Sequence, residues 1–106
     1  LKEKMFGCFK NKRKEKIKRY LDQGAVLLDV RTTSEYESEH IEESVHIPLH
    51  QLDNQYKKLD KDRPIIAYCK MGGRSTLAAS KLKAKGYRVI DGGSIKTVNN
   101  CLAFNK

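Results

Sequence analysis

The sequence predicts an α/β protein with an open, mostly parallel sheet covered by helices on both faces. Three observations point there. Short apolar runs recur as "AVLLDV" (25–30), "SVHIPL" (44–49), "PIIAYC" (64–69) and "YRVID" (87–91), and segments of helical periodicity lie between them. The central runs are apolar at consecutive positions, the pattern of strands buried on both faces. Strands separated by helices imply right-handed crossovers and parallel pairing.

Each element has a local reason. Ile17, Tyr20 and Leu21 fall at helical spacing from about residue 12 to 23, and Gly24 stands where a helix would stop. After "AVLLDV", Thr32 or Thr33 can cap a helix whose first turns hold Glu35 and Glu37, where the helix dipole favours anions. Pro48 interrupts the second strand. Leu52, Tyr56 and Leu59 form one helical stripe over residues 50–59. Leu77, Ala78 and Leu82 face one way in "RSTLAASKLKAKG", with lysines in its last turns and Gly86 as its stop. A glycine pair, Gly92 and Gly93, follows the fourth strand and precedes a last helix from about residue 94 to 102.

In open parallel sheets ligands bind beyond the carboxyl ends of the strands. Asp29-Val30-Arg31, Tyr68-Cys69 and Asp91-Gly92-Gly93 all fall at such ends. Cys69 closes a strand and Arg74-Ser75 opens a helix. Between them Lys70, Met71, Gly72 and Gly73 must turn sharply, and both glycines permit a positive φ. Such a loop directs backbone N–H groups into one concavity that attracts negative charge. A thiol at its centre is biased toward thiolate, the nucleophilic form. Buried cysteines are often plain small hydrophobes, and Cys8 and Cys101 are read that way. The glycines, the arginine and the helix start single out Cys69 as the nucleophile.

The chain has 106 residues and a net charge of +9, sized for one domain with one modest core. Residues 1–19 hold nine Lys or Arg against Glu3 and Glu15, so the other 87 residues carry only +2. The basicity belongs to an arm, residues 1–16, expected to be partly helical, with the folded domain over 17–106. Phe6, Phe9 and Tyr20 do not continue into a basic–aromatic alternation, which argues against nucleic acid; the arm is expected to be a solvated tail, with an acidic protein as the alternative partner. No apolar stretch approaches the ~20 residues needed to span a bilayer. Three widely spaced cysteines are no disulfide framework and no zinc motif, and His40, His46 and His50 are split by Pro48, so no metal site is expected. Free thiols fit a reducing cytoplasm; export stays open if a leader has been removed.

"VLLDVRTTSEYESEHIEESVHIPL" together with "IIAYCKMGGRSTLAASKLKAKGYRVIDGG" resembles the rhodanese domain, a sulfurtransferase fold, over about residues 17–102. The motifs that carry the likeness are Asp29-x-Arg31, the acidic position near Glu35-Tyr36, His40-Ile41, Ile47-Pro48, the Cys69 loop and Gly92-Gly93. The resemblance implies a five-stranded parallel sheet and Cys69 as a sulfur-carrying nucleophile that needs no cofactor. Glu39, Glu42 and Glu43 stand where the family has glycine and Pro-Gly. Thr97 stands where it often has a packing tryptophan, so a rearranged last helix is expected.

Phosphatases and arsenate reductases of the same fold place five residues between cysteine and arginine. Here there are four, and Ser75 occupies the position where the longer loop needs arginine. The shorter cradle suits one extra sulfur atom rather than a tetrahedral oxyanion. The implied reaction moves sulfane sulfur from an anionic donor, thiosulfate or a polysulfide, to a thiophilic acceptor such as a cellular thiol. Candidate substrate-binding residues are Lys70, Met71, Gly72, Gly73, Arg74, Ser75 and Arg31. Lys70 would attract the donor and Met71 would line the mouth. Arg74 either meets the donor or braces the loop against a carboxylate. Arg31 either meets the donor or pairs with Glu35 or Asp29, and Asp29 holds backbone donors. Thiosulfate is preferred to mercaptopyruvate because Lys70 is basic and the loop is unlike the Gly-Ser-Gly type. The alternatives are a persulfide carrier without turnover and a docking module of the same fold.

Overall fold

The computed structural model describes residues 12–104. Cys8 and residues 1–11 of the basic arm lie outside the described residues. Helix α1 (Lys12–Asp22) runs unbroken across residues 16 and 17, where the sequence places the end of the arm. Its Ile17 is fully buried, and Gly24 at φ 78° turns the chain into the sheet.

Strands β1 (Val26–Asp29), β2 (Val45–His46), β3 (Ile65–Cys69) and β4 (Val89–Ser94) form one sheet in the order β2-β1-β3-β4, every neighbouring pair parallel. Each arises from one of the four apolar runs. The expected fifth strand is not among the described residues, whose sheet has four. Between β1 and β2 lies helix α2 (Thr33–Ser38). The stretch from β2 to β3 is less regular than its apolar stripe suggests. A 3₁₀ turn (Leu49–Gln51), a single α turn, α3 (Leu52–Gln55), and a second 3₁₀ turn (Tyr56–Lys58) replace one helix. The Tyr87 hydroxyl sits 3.0 Å from the Tyr56 carbonyl and 3.3 Å from that of Leu59, holding the end of this stretch against the body. Helices α4 (Gly73–Ala84) and α5 (Ile95–Phe104) complete the chain.

The side-chain alternation of β3 divides the core. Ile65, Ala67 and Cys69 face one apolar cluster, closed by Leu52, Leu59, Ala78, Ala79 and Leu82. Ile66 and Tyr68 face the other, closed by Ile17, Val98 and Cys101 from α1 and α5. Because strand residues alternate between faces, the Cys69 side chain points to the side covered by α4.

The fourth strand extends beyond "YRVID" and takes in the glycine pair. β4 continues through Gly92 and Gly93 to Ser94, with an irregular register in which Ala67 pairs with Asp91 and Tyr68 with Gly93. Gly92 is the extra residue. A Cβ there would lie 2.8 Å from Ile66 Cγ2, 3.0 Å from Val98 Cγ2 and 3.1 Å from the Ala67 carbonyl oxygen. This crowding explains the glycine and the bulge together. The last helix then starts tightly, with the Thr97 N–H donating to Ser94 Oγ at 3.1 Å.

Candidate functional site

The three strand ends do meet at one edge of the sheet. At the end of β1, Asp29 is fully buried and Arg31 is 4% exposed. The Arg31 guanidinium grips the Asp29 carboxylate, Nε to Oδ1 at 2.9 Å and Nη2 to Oδ2 at 2.8 Å, while the Arg31 N–H also donates to Oδ1 at 3.0 Å. Nη2 further donates to the Glu39 carbonyl at 2.7 Å. Of the two partners expected for Arg31, the structure gives Asp29. A buried pair so fully hydrogen-bonded fixes the turn after β1, since removing either partner would strand the other's charge.

β3 delivers Cys69 to the same edge, 1% exposed, at the floor of the loop made by residues 70–73. Of the two glycines only Gly72 uses a positive φ, 112°; Gly73 is already the first residue of α4. The conformation at Gly72 turns its N–H onto the cysteine, 3.0 Å from Sγ. Burial alone would push the Cys69 thiol up. The Ser75 backbone N–H and hydroxyl and the N–H groups of Gly72 and Met71 outweigh it and bring the thiol below its ordinary value. The donors of a helix N-terminus thus stabilise negative charge on this sulfur. Lys70 and Met71 project outward; Met71 is 87% exposed.

Arg74 turns its guanidinium to Glu35. Its Nη1 and Nη2 donate to the two carboxylate oxygens at 2.7 and 3.1 Å. Glu35 is held in turn by a capping box at the start of α2: Thr32 N–H donates to Oε1 at 2.9 Å, and the Glu35 N–H donates to Thr32 Oγ1 at 3.3 Å. The Arg74 guanidinium, with these Thr32 donors, lowers the Glu35 carboxyl to about 2. Glu35, expected as a partner of Arg31, belongs to Arg74 instead.

The far side of the loop rests on Asp91, a residue the sequence marked by position but not by role. Its Oδ1 lies 2.6 Å from Ser75 Oγ and accepts the Gly93 N–H at 2.9 Å; its Oδ2 lies 2.7 Å from Thr76 Oγ1. Both hydroxyls also lie 2.9 Å from the Gly72 carbonyl. Asp91 therefore ties the first turn of α4 to β4. Arg13 of α1 reaches the same carboxylate at 3.8 Å. Only an alignment of strand end with helix start in three dimensions makes this network visible; the sequence spacing of 16 residues carries no such signal.

Lys70 and Arg31 share a groove with Glu35 and Glu39 beside the loop, whereas Met71, Gly72, Gly73 and Ser75 do not line it. His40 and His46 sandwich the Tyr36 ring at 4.0 and 4.2 Å, and their ring nitrogens sit 2.8 Å from the carbonyls of Tyr36 and Arg31. Among the described residues no group of three His, Cys, Asp or Glu could hold a metal ion, and no helix is long and apolar enough to cross a membrane.

A family model, the rhodanese-like domain, matches residues 13–97. The thiosulfate sulfurtransferase GlpE of Pseudomonas syringae pv. syringae is 36% identical over 88 residues, covering 80% of this chain and 83% of that protein. The putative sulfur carrier protein YrkF of Bacillus subtilis is 36% identical over 69 residues, covering 65% of this chain and 37% of that protein. A crystal structure of a rhodanese-related protein from Thermoplasma volcanium superposes with a TM-score of 0.71 at 26% identity, covering 82% of this chain and 87% of that one. Parallel sheet, glycine-turned cysteine loop and matched family model agree: the chain belongs to the rhodanese-like family.

Proposed function

We propose that the protein is a sulfurtransferase that moves sulfane sulfur from thiosulfate or a polysulfide to a thiol through a Cys69 persulfide. One observation carries the reading: Cys69 Sγ lies 3.0 Å from the Gly72 N–H, in a loop whose donors hold the thiol below its ordinary value. In the first step Cys69 thiolate attacks the outer sulfur of thiosulfate. The donor's S–S bond breaks, sulfite departs with the electron pair, and the new terminal sulfur keeps a negative charge that the N–H groups of residues 70–75 can hold. Arg74 contributes by bracing the loop through Glu35, and Arg31 by fixing the neighbouring turn through Asp29. The exposed Lys70 supplies a positive charge at the rim.

Incubating the full chain with thiosulfate and weighing it tests this directly. The expected result is a mass gain of one sulfur atom that Cys69→Ser abolishes, followed by thiocyanate release when cyanide is added. No gain on wild type overturns the reading. The relative named as a putative sulfur carrier favours a second one, in which the persulfide forms but passes only to a protein partner. Stoichiometric loading without repeated thiocyanate release would mark that case.

A further inference from the structure

A groove of about 340 Å³ opens beside the cysteine loop, at the small end of the usual ~300–1,000 Å³ range for ligand sites. Lys70, which directly follows Cys69, lines it, as does Glu35, which grips Arg74 of the same loop. Its charges sort into two kinds. Arg31 is neutralised by Asp29 at 2.8 Å and Glu35 by Arg74 at 2.7 Å. Lys70 and Glu39 line the same groove, yet neither has an ion-pair or hydrogen-bond partner for its side chain among the described residues. Ser34 and Ser38 also line it, one helical turn apart and so on one face of α2, and Ile95 adds apolar contact.

We propose that this groove seats the sulfur acceptor and selects a small zwitterionic thiol of the amino-acid type, its ammonium toward Glu39 and its carboxylate toward Lys70. The inference rests on the sulfurtransferase reading and deepens it. Thiosulfate is a dianion with nothing to offer Glu39, so the carboxylate wall is explained by an acceptor rather than the donor. A smaller cleft of about 240 Å³ on another side of Arg74, lined by Val30, Pro48, Leu49 and His50 among others, contains no carboxylate and so offers an ammonium group no partner. In the transfer step the acceptor sulfur bonds to the outer sulfur of the Cys69 persulfide. The Cys69 S–S bond breaks with its electron pair left on Sγ, and the acceptor's thiol proton passes to solvent. The products are the acceptor's persulfide anion and Cys69 thiolate, with no further oxidant or reductant.

The test loads the full chain with thiosulfate, confirms the persulfide by mass, and measures its discharge by cysteine and by N-acetylcysteine, which lacks the ammonium. The ratio of the two rate constants is compared between wild type, Glu39→Gln and Glu39→Lys, so that the intrinsic reactivity of each thiol cancels. Because the Glu39 side chain is exposed and only its backbone carbonyl meets Arg31, both variants should fold. The preference for cysteine is expected to fall about threefold to fivefold in Glu39→Gln, as for one partly exposed charge contact, and further in Glu39→Lys. Equal ratios in all three proteins, with the persulfide formed, overturn the groove assignment alone. Failure of wild type to form the persulfide overturns this proposal and the sulfurtransferase reading together.

Discussion

Glu35 and Arg74, 39 residues apart in the chain, are joined by two N–H···O bonds of 2.7 and 3.1 Å. Bidentate contact of this kind fixes orientation as well as distance. It anchors the helical end of the Cys69 loop to a carboxylate that is itself immobilised by the Thr32 capping box. The arginine that follows the glycines thereby ties the start of α4 to the start of α2.

The pair makes stability depend on acid. The folded Glu35 carboxyl, at about 2, lies below its ordinary value of 4.5. Its contribution is thus complete above about pH 4.5 and is lost as pH falls toward 2. Since both side chains are partly exposed, Glu35→Gln should cost about 1–2 kcal/mol at pH 7 in urea unfolding. The gap between variant and wild type should narrow on acidification. A gap of constant size from pH 7 to pH 3 would contradict the assignment.

Cys69 and Cys101 are both about 1% exposed, yet their surroundings differ in kind. Hydrogen-bond donors bring Cys69 down, whereas burial pushes Cys101 up. Iodoacetamide should label Cys69 well before Cys101 at pH 7, with a rate profile whose midpoint lies below that of a free thiol. Peptide mapping after brief labelling at several pH values measures this, and equal labelling of the two residues would be the contrary result.

Gly72 meets no steric obstacle, its nearest neighbour being Gly93 Cα at 3.9 Å from a built Cβ, but its φ of 112° is one that side chains rarely adopt. Gly72→Ala should therefore cost about 1–2 kcal/mol of stability through backbone strain alone. Relief of that strain would rotate the N–H away from Sγ. The alkylation midpoint of Cys69 should then rise toward the ordinary thiol range, which separates an effect on the sulfur from a general loss of stability.

Gly92 fails for the opposite reason. It has an ordinary φ but no room, with the side chains of Ile66 and Val98 and the Ala67 carbonyl all within 3.1 Å of an added Cβ. Gly92→Ala should destabilise by about 1–3 kcal/mol, the usual cost of forcing a methyl group into a packed core. Thermal unfolding measures it, and an unchanged midpoint would mean that β4 can shift away from β3.

Much of this molecule is legible without coordinates. Short apolar runs separated by helical periods specify a parallel sheet, because strands buried on both faces, as the central β1 and β3 are, read apolar at consecutive positions. The glycines and helix start after Cys69 specify a donor-lined loop, because positive φ and free N–H groups are properties of a few neighbouring residues. What needed the tertiary structure is every relation between distant segments. The capping box at Thr32 and Glu35 and the Asp29–Arg31 pair are local; that the Glu35 carboxylate then serves Arg74 is not. Similarly, the sequence ends the fourth strand before the glycine pair, but pairing with β3 carries it through both glycines as a bulged strand. Asp91 shows its part only when β4 lies beside the first turn of α4. Backbone preference and apolar patterning are written residue by residue. The choice among competing carboxylates, hydroxyls and cations is made by distance, and distance across the chain exists only once it has folded.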